Sequence, residues 1–213
     1  MEEASELTGT YRALARWPLF GALSPEALDA LERSAVEREF RPGALLLEAG
    51  SRADLLYVVD EGLVREFYVT ADGKEHTRAF IAGGSVTGSL LDLASGAPSV
   101  TWIQALEQTR ALAIRFSDFN ALAARHGELE SLARQQAEAL AVRKTKREYE
   151  MLALSARERL DLWRAEFPAL DGRITRRMLA SFLGISAVHL SRISSRGQTA
   201  NRAARQETAR PPS

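Results

Sequence analysis

The spacing of apolar residues along the chain changes character several times, and each change marks an element. A short helical signal at Tyr11–Arg16 precedes Trp17-Pro18-Leu19-Phe20. A second helix is expected from Ser24 to about Ser34, with Leu28 and Leu31 inward and Pro25 in the first helical position, where a missing N–H costs nothing. From Glu37 to Arg115 the pattern becomes short or alternating apolar runs broken by glycine: EFRPGALLLEAG, LLYVVDEGLVREFYV, TADGKEHTRAFIAGGSVTG and VTWIQALEQTRALAIRF. These predict hairpin-linked strands, with Asp72-Gly73 a tight turn, and together a small antiparallel barrel or roll. Ser117 to His126 predicts a short helix that closes it. A long helix is expected from about Glu128 to Leu154, which contains neither proline nor glycine. Its Leu132, Ala139, Val142 and Tyr149 fall on one stripe at spacings of seven, three and seven, a seam that Gln135 and Lys146 interrupt. Ser155-Ala156-Arg157-Glu158 has the form of a capping box and marks a hinge; Leu160, Trp163 and Phe167 lie inward on the helix it opens, and Pro168 stops that helix.

The stretch from Thr175 to Ser195 spells a helix-turn-helix. Leu179, Leu183, Ile185, Leu190 and Ile193 are apolar where two short helices bury their inner faces, and Ala180 is small where they approach. Thr175 and Ser186 are N-cap residues, and Gly184 supplies a turn that needs a left-handed backbone. An ordinary helical hairpin needs the same apolar set but has no use for a cationic outer face. Here the second helix turns His189, Ser191, Arg192 and, one turn on, Ser195 and Arg196 outward, residues suited to a DNA major groove. Arg192 is the expected base reader and His189 the second. Arg176 and Arg177 are better placed for phosphates, and Ser186 completes the set. The basic run Arg143, Lys144, Lys146 and Arg147 is read as a solvated face.

Composition narrows the picture. Formal net charge is zero, but residues 1–127 carry 12 Lys plus Arg against 18 Asp plus Glu, and residues 128–213 carry 16 against 10. A basic back half is the one expected to meet phosphate. The chain has no cysteine, which excludes disulfides, thiolate zinc sites and cysteine nucleophiles. His76, His126 and His189 are far apart, so no metal site is expected, and His76 reads as an ordinary strand histidine rather than a haem ligand. The segment MEEASELTG is acidic with no apolar run, and nothing approaches the roughly 18 to 20 apolar residues of a membrane span. A cytoplasmic protein without membrane contact is expected.

The order WPLFGALS, a glycine before successive strand turns (Gly43, Gly50, Gly62, Gly73), GGSVTGSLLDLASG and ALEQTRALAI resembles the cyclic-nucleotide-binding β-roll of the Crp/Fnr transcription regulators. With the helix-turn-helix behind it, the resemblance spans roughly residues 14 to 195. It implies an α+β fold: an N-terminal antiparallel, jelly-roll-like β-roll (1–127), a long dimerisation helix (128–154) and a helix-turn-helix domain (155–195). Where the family usually continues with apolar residues, residues 196–213 have almost no large apolar residue and carry Arg196, Arg202, Arg205 and Arg210, and so read as a disordered basic tail. Members that bind cyclic AMP place a glutamate and an arginine in the segment corresponding to Gly84–Trp102. The match puts Ser89 and Ser99 at those positions, with Gly88, Leu90 and Val100 as the other pocket candidates. Without the cation a charge-assisted phosphate contact is lost, so cyclic AMP is not expected to bind and the effector is left unassigned. The recognition helix also departs from the family, with Ala187 and Val188 where cyclic-AMP-type members have Arg and Glu.

The expected function is a non-enzymatic, homodimeric regulator that binds double-stranded DNA, with RNA polymerase a further candidate partner. Leu132, Ala139, Val142 and Tyr149 are its candidate dimer interface. The competing reading is a small-molecule-binding roll with a degenerate helical domain that does not bind DNA. A metal-dependent enzyme of the cupin type would need clustered ligands that His76 alone does not supply.

Overall fold

The computed structural model, which describes residues 6–7 and 14–195, folds the expected strand region into two antiparallel sheets. The first has the order β1 (Glu6–Leu7), β2 (Ala35–Phe40), β9 (Thr109–Arg115), β4 (Leu55–Glu61), β7 (Ser85–Thr87). The second has the order β3 (Leu45–Leu47), β8 (Trp102–Ala105), β5 (Leu63–Val69), β6 (Glu75–Ala82). β1, which pairs Glu6 with Arg38 and Leu7 with Glu37, has no counterpart in the expected elements. The remaining strands come from the four apolar runs, except that β2 starts earlier, at Ala35, ahead of the first run and of Glu37, where strands are expected to begin. The Asp72-Gly73 turn joins β5 to β6, and Gly73 N–H donates to Thr70 O at 2.8 Å. Gly62, at φ +101° between β4 and β5, is confined by Thr109: a Cβ there would lie 2.7 Å from Gln108 O.

Leu55–Val59 of β4 and Ala111–Ile114 of β9 are apolar without interruption because the first sheet is buried on both faces there. Val58, Leu112 and Ile114 face a cluster made with Leu14, Phe20, Ala27, Leu31, Leu129 and Leu132. Tyr57, Val59, Ala111 and Ala113 face the space between the sheets, with Phe40, Leu46, Val64, Ile103 and Ala105. Tyr57 donates its hydroxyl to Leu46 O at 2.9 Å, and burial pushes its pKa up to about 12. The helices that cover the outer face are α1 (Pro25–Ser34), α3 (Phe116–Ala123) and the start of α4 (Gly127–Ala153); α2 (Leu90–Ser95) lies in the loop after β7. Ser24 caps α1 by accepting from Ala27 N–H, with Pro25 next to it as expected. Leu14–Arg16 form a 3-10 turn, and the earlier part of that helical signal, residues 11–13, lies outside the described residues, as does the tail 196–213.

Residues up to Lys144 form one compact unit and those from Thr145 a second, so the division falls inside α4. Leu129 and Leu132 explain why the helix belongs to the roll at its start. This corrects one expectation: Leu132 is 8% exposed and contributes to the roll's own core, so it is not available to a dimer seam. In the second unit α5 (Ala156–Glu166) starts at the capping box, with Ser155 Oγ accepting from Glu158 N–H and the Glu158 carboxylate from Ser155 N–H. Leu160 and Trp163 are buried on its inner side, and a 3-10 turn, Pro168–Leu170, follows. Then come α6 (Arg176–Phe182) and α7, helical over 187–195.

Leu132→Ala should therefore lower the stability of the roll by about 2 to 5 kcal/mol, as expected for a buried leucine. Urea unfolding followed at low protein concentration measures it; unchanged stability would return Leu132 to an interface.

Candidate functional site

The DNA-contact and ligand-pocket candidates fall into two places, one in each unit, and the interface candidates lie along α4. In the second unit, Thr175 Oγ1 accepts from Met178 N–H at 3.2 Å and opens α6. The helix ends in a Schellman motif: Ile185 N–H reaches Ala180 O at 3.0 Å and Gly184 N–H reaches Ser181 O at 3.1 Å, with Gly184 at φ +69°. Ser186 Oγ then accepts from His189 N–H at 3.1 Å and opens α7. Ala180, Leu183 and Leu190 are buried, while Leu179, Ile185 and Ile193 are half-buried. Arg176, Arg177, Ser186, His189, Ser191 and Arg192 are all exposed. Arg196 lies outside the described residues. The outward surface of α7 is thus polar and cationic, except that Val188 is 62% exposed.

Three arginines to which the sequence assigned no such role, Arg147 among them, hold this arrangement by binding carbonyls at helix ends. Arg159 donates to Leu183 O at 3.1 Å and to Leu154 O at 2.7 Å, joining the ends of α6 and α4. Arg157 donates to Ile193 O at 2.6 Å. Arg147 donates to Phe182 O and lies 4.2 Å above the Phe182 ring, with Glu150 beside it at 3.4 Å. Cations at helix C-termini satisfy orphan carbonyls and the negative end of the dipole together. Arg147 is therefore not part of a solvated face, and burial lowers its pKa below the usual guanidinium value. Lys146 is more exposed but paired, at 2.5 Å from Glu166. Phe167 completes the set, packing against both Trp163 and Phe182 with ring centroids 6.4 Å apart in each case. Arg159→Ala should destabilise the second unit by about 2 kcal/mol, since hydrogen bonds from charged donors carry roughly 1.5 to 3 kcal/mol. Thermal unfolding measures the loss, and Arg159→Lys should recover only part of it.

Of the other proposed interface residues, Ala139 is half-buried, Val142 is 68% exposed and Tyr149 is 60% exposed. Leu152, which the sequence reading did not include, is 80% exposed on the same helix.

In the roll, Ser89 and Ser99 are brought together and both are buried. They meet at a third residue, Asp92 of α2, which is 3% exposed. Its Oδ2 accepts from Ser89 Oγ at 2.5 Å, from Ser99 Oγ at 2.7 Å and from Val100 N–H at 3.3 Å. Burial opposes ionisation of Asp92, but the two hydroxyls, the Val100 amide and the charge of Arg78 outweigh it and hold the carboxyl below the usual carboxylate range. Gly88 precedes this cluster at φ +151°, while the Leu90 and Val100 side chains are exposed, at 37% and 58%. Nearby in the fold, buried Glu66 accepts from Thr87 Oγ1 at 2.7 Å and pairs with Arg78 at 3.3 Å. No sequence signal pointed to Asp92, because its partners lie on both sides of a loop. His76 is exposed on β6, and among the described residues no three His, Asp or Glu side chains cluster as metal ligands. No described helix is long and apolar enough to cross a membrane.

Residues 37–126 match the cyclic nucleotide-binding domain. Among solved structures, the chain is similar to FixK2 from Bradyrhizobium japonicum, with 22% identity over 78% of this chain and 86% of that one and a TM-score of 0.68. It is similar to the catabolite activator protein of Thermus thermophilus, with 27% identity over 92% and 91% of the two chains and a TM-score of 0.54. It also resembles the N-terminal domain of a transcriptional regulator from Streptomyces coelicolor A3(2), at 30% identity over 63% of this chain and 92% of that domain, with a TM-score of 0.50. No curated protein sequence matches it. Through residues 37–126 this chain carries a cyclic nucleotide-binding domain, and its structural neighbours include regulators of the Crp/Fnr type.

Proposed function

We propose that the chain is a sequence-specific, DNA-binding transcription regulator of the Crp/Fnr type, homodimeric, cytoplasmic and not controlled by cyclic AMP. The observation that carries this reading is the second unit: a capped helix, a Schellman turn and a second capped helix that leaves His189, Ser191 and Arg192 exposed. The likeness to the catabolite activator protein and to a transcriptional regulator supports it. Arg176 and Arg177 contact phosphates, Ser186 and Ser191 add short polar contacts, Arg192 reads a base edge, and Arg196, which lies outside the described residues, is a further candidate contact. RNA polymerase is the partner such a regulator would meet on DNA, and no catalytic step is assigned to the chain. Ser89 and Ser99, in place of an acidic and a basic ligand, argue against cyclic AMP as the effector.

One observation favours a second reading. Val188 places an exposed apolar side chain near the start of α7, where a base-reading polar group would be expected, and a roll whose helical unit no longer binds DNA accommodates it. Selection of binding sites from a random duplex pool separates the two, since only the first yields an enriched sequence.

That enriched site should be two-fold symmetric, with half-sites about one helical turn, roughly 34 Å, apart. Arg192→Ala should cost about 1 to 3 kcal/mol on this site and relax preference at one base pair per half-site, while Arg177→Ala should weaken all sequences alike and flatten the salt dependence. Equal losses on selected and random DNA would make Arg192 a phosphate contact only.

Homodimerisation rests on the exposed Val142 and Tyr149 of α4, seven residues apart and so on one stripe of a helix. Val142→Glu with Tyr149→Glu should convert a dimer to monomers in sedimentation. A wild-type chain that sediments as a monomer at micromolar concentration contradicts the assignment.

A further inference from the structure

The donors around Asp92 have a geometry that a buried carboxylate does not require. Three of them converge on a single oxygen, Oδ2, from a hydroxyl before α2, a hydroxyl in the loop before β8 and the backbone amide next to it. Each hydroxyl carries one hydrogen; Ser99 Oγ also lies 3.1 Å from Thr101 O, but the Asp92 carboxylate at 2.7 Å is the nearer and the charged acceptor, so the bond to Asp92 uses that hydrogen and leaves only lone pairs for other neighbours. Those lone pairs are used: Thr101 N–H donates to Ser99 Oγ at 3.0 Å, and Thr101 Oγ1 lies 3.2 Å from Ser89 Oγ, so its hydrogen can be directed there. The chain Thr101 to Ser89 to Asp92 then runs in one direction, every donor turned toward one point. Ser89, Asp92, Ser99 and Thr101 are each 3% exposed or less. The loop holding Ser99 is fixed from behind, with Ser99 N–H donating to Ser51 O and Gly50 N–H to Ser99 O, both at 2.7 Å. Such a set of preorganised donors, with Arg78 adding positive potential, is an oxyanion cradle, and the oxygen in it belongs to the chain itself.

We infer that Asp92 is a tethered anion: its carboxylate fills a cradle formed by Ser89, Ser99 and the Val100 amide, excludes external anions from it, and leaves a site for phosphate or a phosphate ester when it is removed. The cradle lies close to solvent. Leu91 and Val100, immediately beside its members, are 68% and 58% exposed, so a small anion has a short path once the carboxylate is gone. Arg78 is committed in part to Glu66, at 3.3 Å, and serves the cradle by its field rather than by a direct bond. The inference concerns the roll alone and does not rest on DNA binding.

The test uses the full chain as wild type, Asp92→Ala and Asp92→Asn, with inorganic phosphate and cyclic AMP as probes in calorimetry and thermal unfolding at constant ionic strength. Wild type should show no saturable binding of either probe up to about 1 mM, a free energy of roughly 4 kcal/mol. Asp92→Ala should bind phosphate or cyclic AMP at least about tenfold more tightly, and its Tm should rise with that probe but not with chloride. The two probes distinguish a free anion from an ester as occupant. Asp92→Asn keeps the cradle filled by a neutral amide; it should gain no binding and should unfold at a lower temperature than wild type. Micromolar binding of either probe by wild type would overturn the inference. So would a folded Asp92→Ala that binds neither better than wild type, or an Asp92→Asn as stable as wild type. If Asp92→Ala is unfolded in chloride, phosphate should restore it, and failure to do so at saturating phosphate overturns the inference as well.

Discussion

A buried carboxylate must be supplied with donors wherever the chain can bring them, and in the roll this constraint falls on Asp60, Glu66 and Asp92, each no more than 5% exposed. Asp60 receives Arg16, Trp17 Nε1 at 3.3 Å and Arg110 at 2.9 Å. One carboxylate thus ties the segment before α1 to the end of β4 and the start of β9. Glu66 does the same for β5, β6 and β7 through Arg78 and Thr87, and Asp92 for α2 and the loop before β8. Apolar burial supplies most of the driving force but has no direction. The carboxylates supply direction, because removing any one donor leaves a charge with too few partners and costs several kcal/mol. The N-terminal segment shows the coupling. Trp17, anchored to Asp60, lies over Gly84, where a Cβ would run into its ring.

What could be read from the sequence was local. The caps at Ser24, Ser155, Thr175 and Ser186 and the left-handed turn at Gly184 depend on residues within a few positions of each other, and the structure forms each where the residue types indicate. The strand region was legible for the same reason: runs such as LLYVV and ALAI are apolar on both faces because both faces of their sheet are covered. The long-range polar pairs were not. Nothing in the neighbourhood of Asp92 announces that Ser89 and Ser99 will converge on it, and Arg159 gives no sign of the two helix ends that it joins.

Leu132 and Arg147 show why periodicity misleads on a helix that serves two neighbourhoods. A heptad stripe says which side chains share a face, but not what covers that face. Leu132 fits the stripe, yet it is covered by the roll's own core, whereas Val142 and Tyr149 further along are exposed. Arg147 fits a basic run and would be solvated if nothing lay beside it; Phe182 supplies both a carbonyl and a ring, which turns a surface cation into a helix cap.

The second unit separates what fixes its geometry from what it presents. Its helices are held by Thr175 and Ser186 at their starts, by the Schellman turn between them, and by Arg147, Arg157 and Arg159 acting on carbonyls. Of the exposed residues of α7, Ala187, Val188, Ser191 and Arg192 contribute no side-chain bond to that scaffold among the described residues, and His189 contributes only its backbone N–H to the cap. Their side chains are therefore free to change with little effect on folding, since exposed substitutions away from caps and cores shift stability by about half a kcal/mol or less. A surface decoupled from its support in this way can change its chemistry without altering how it is held. Ala187 and Val188, which depart from the family pattern, stand on that surface, and the turn and caps beneath them are intact.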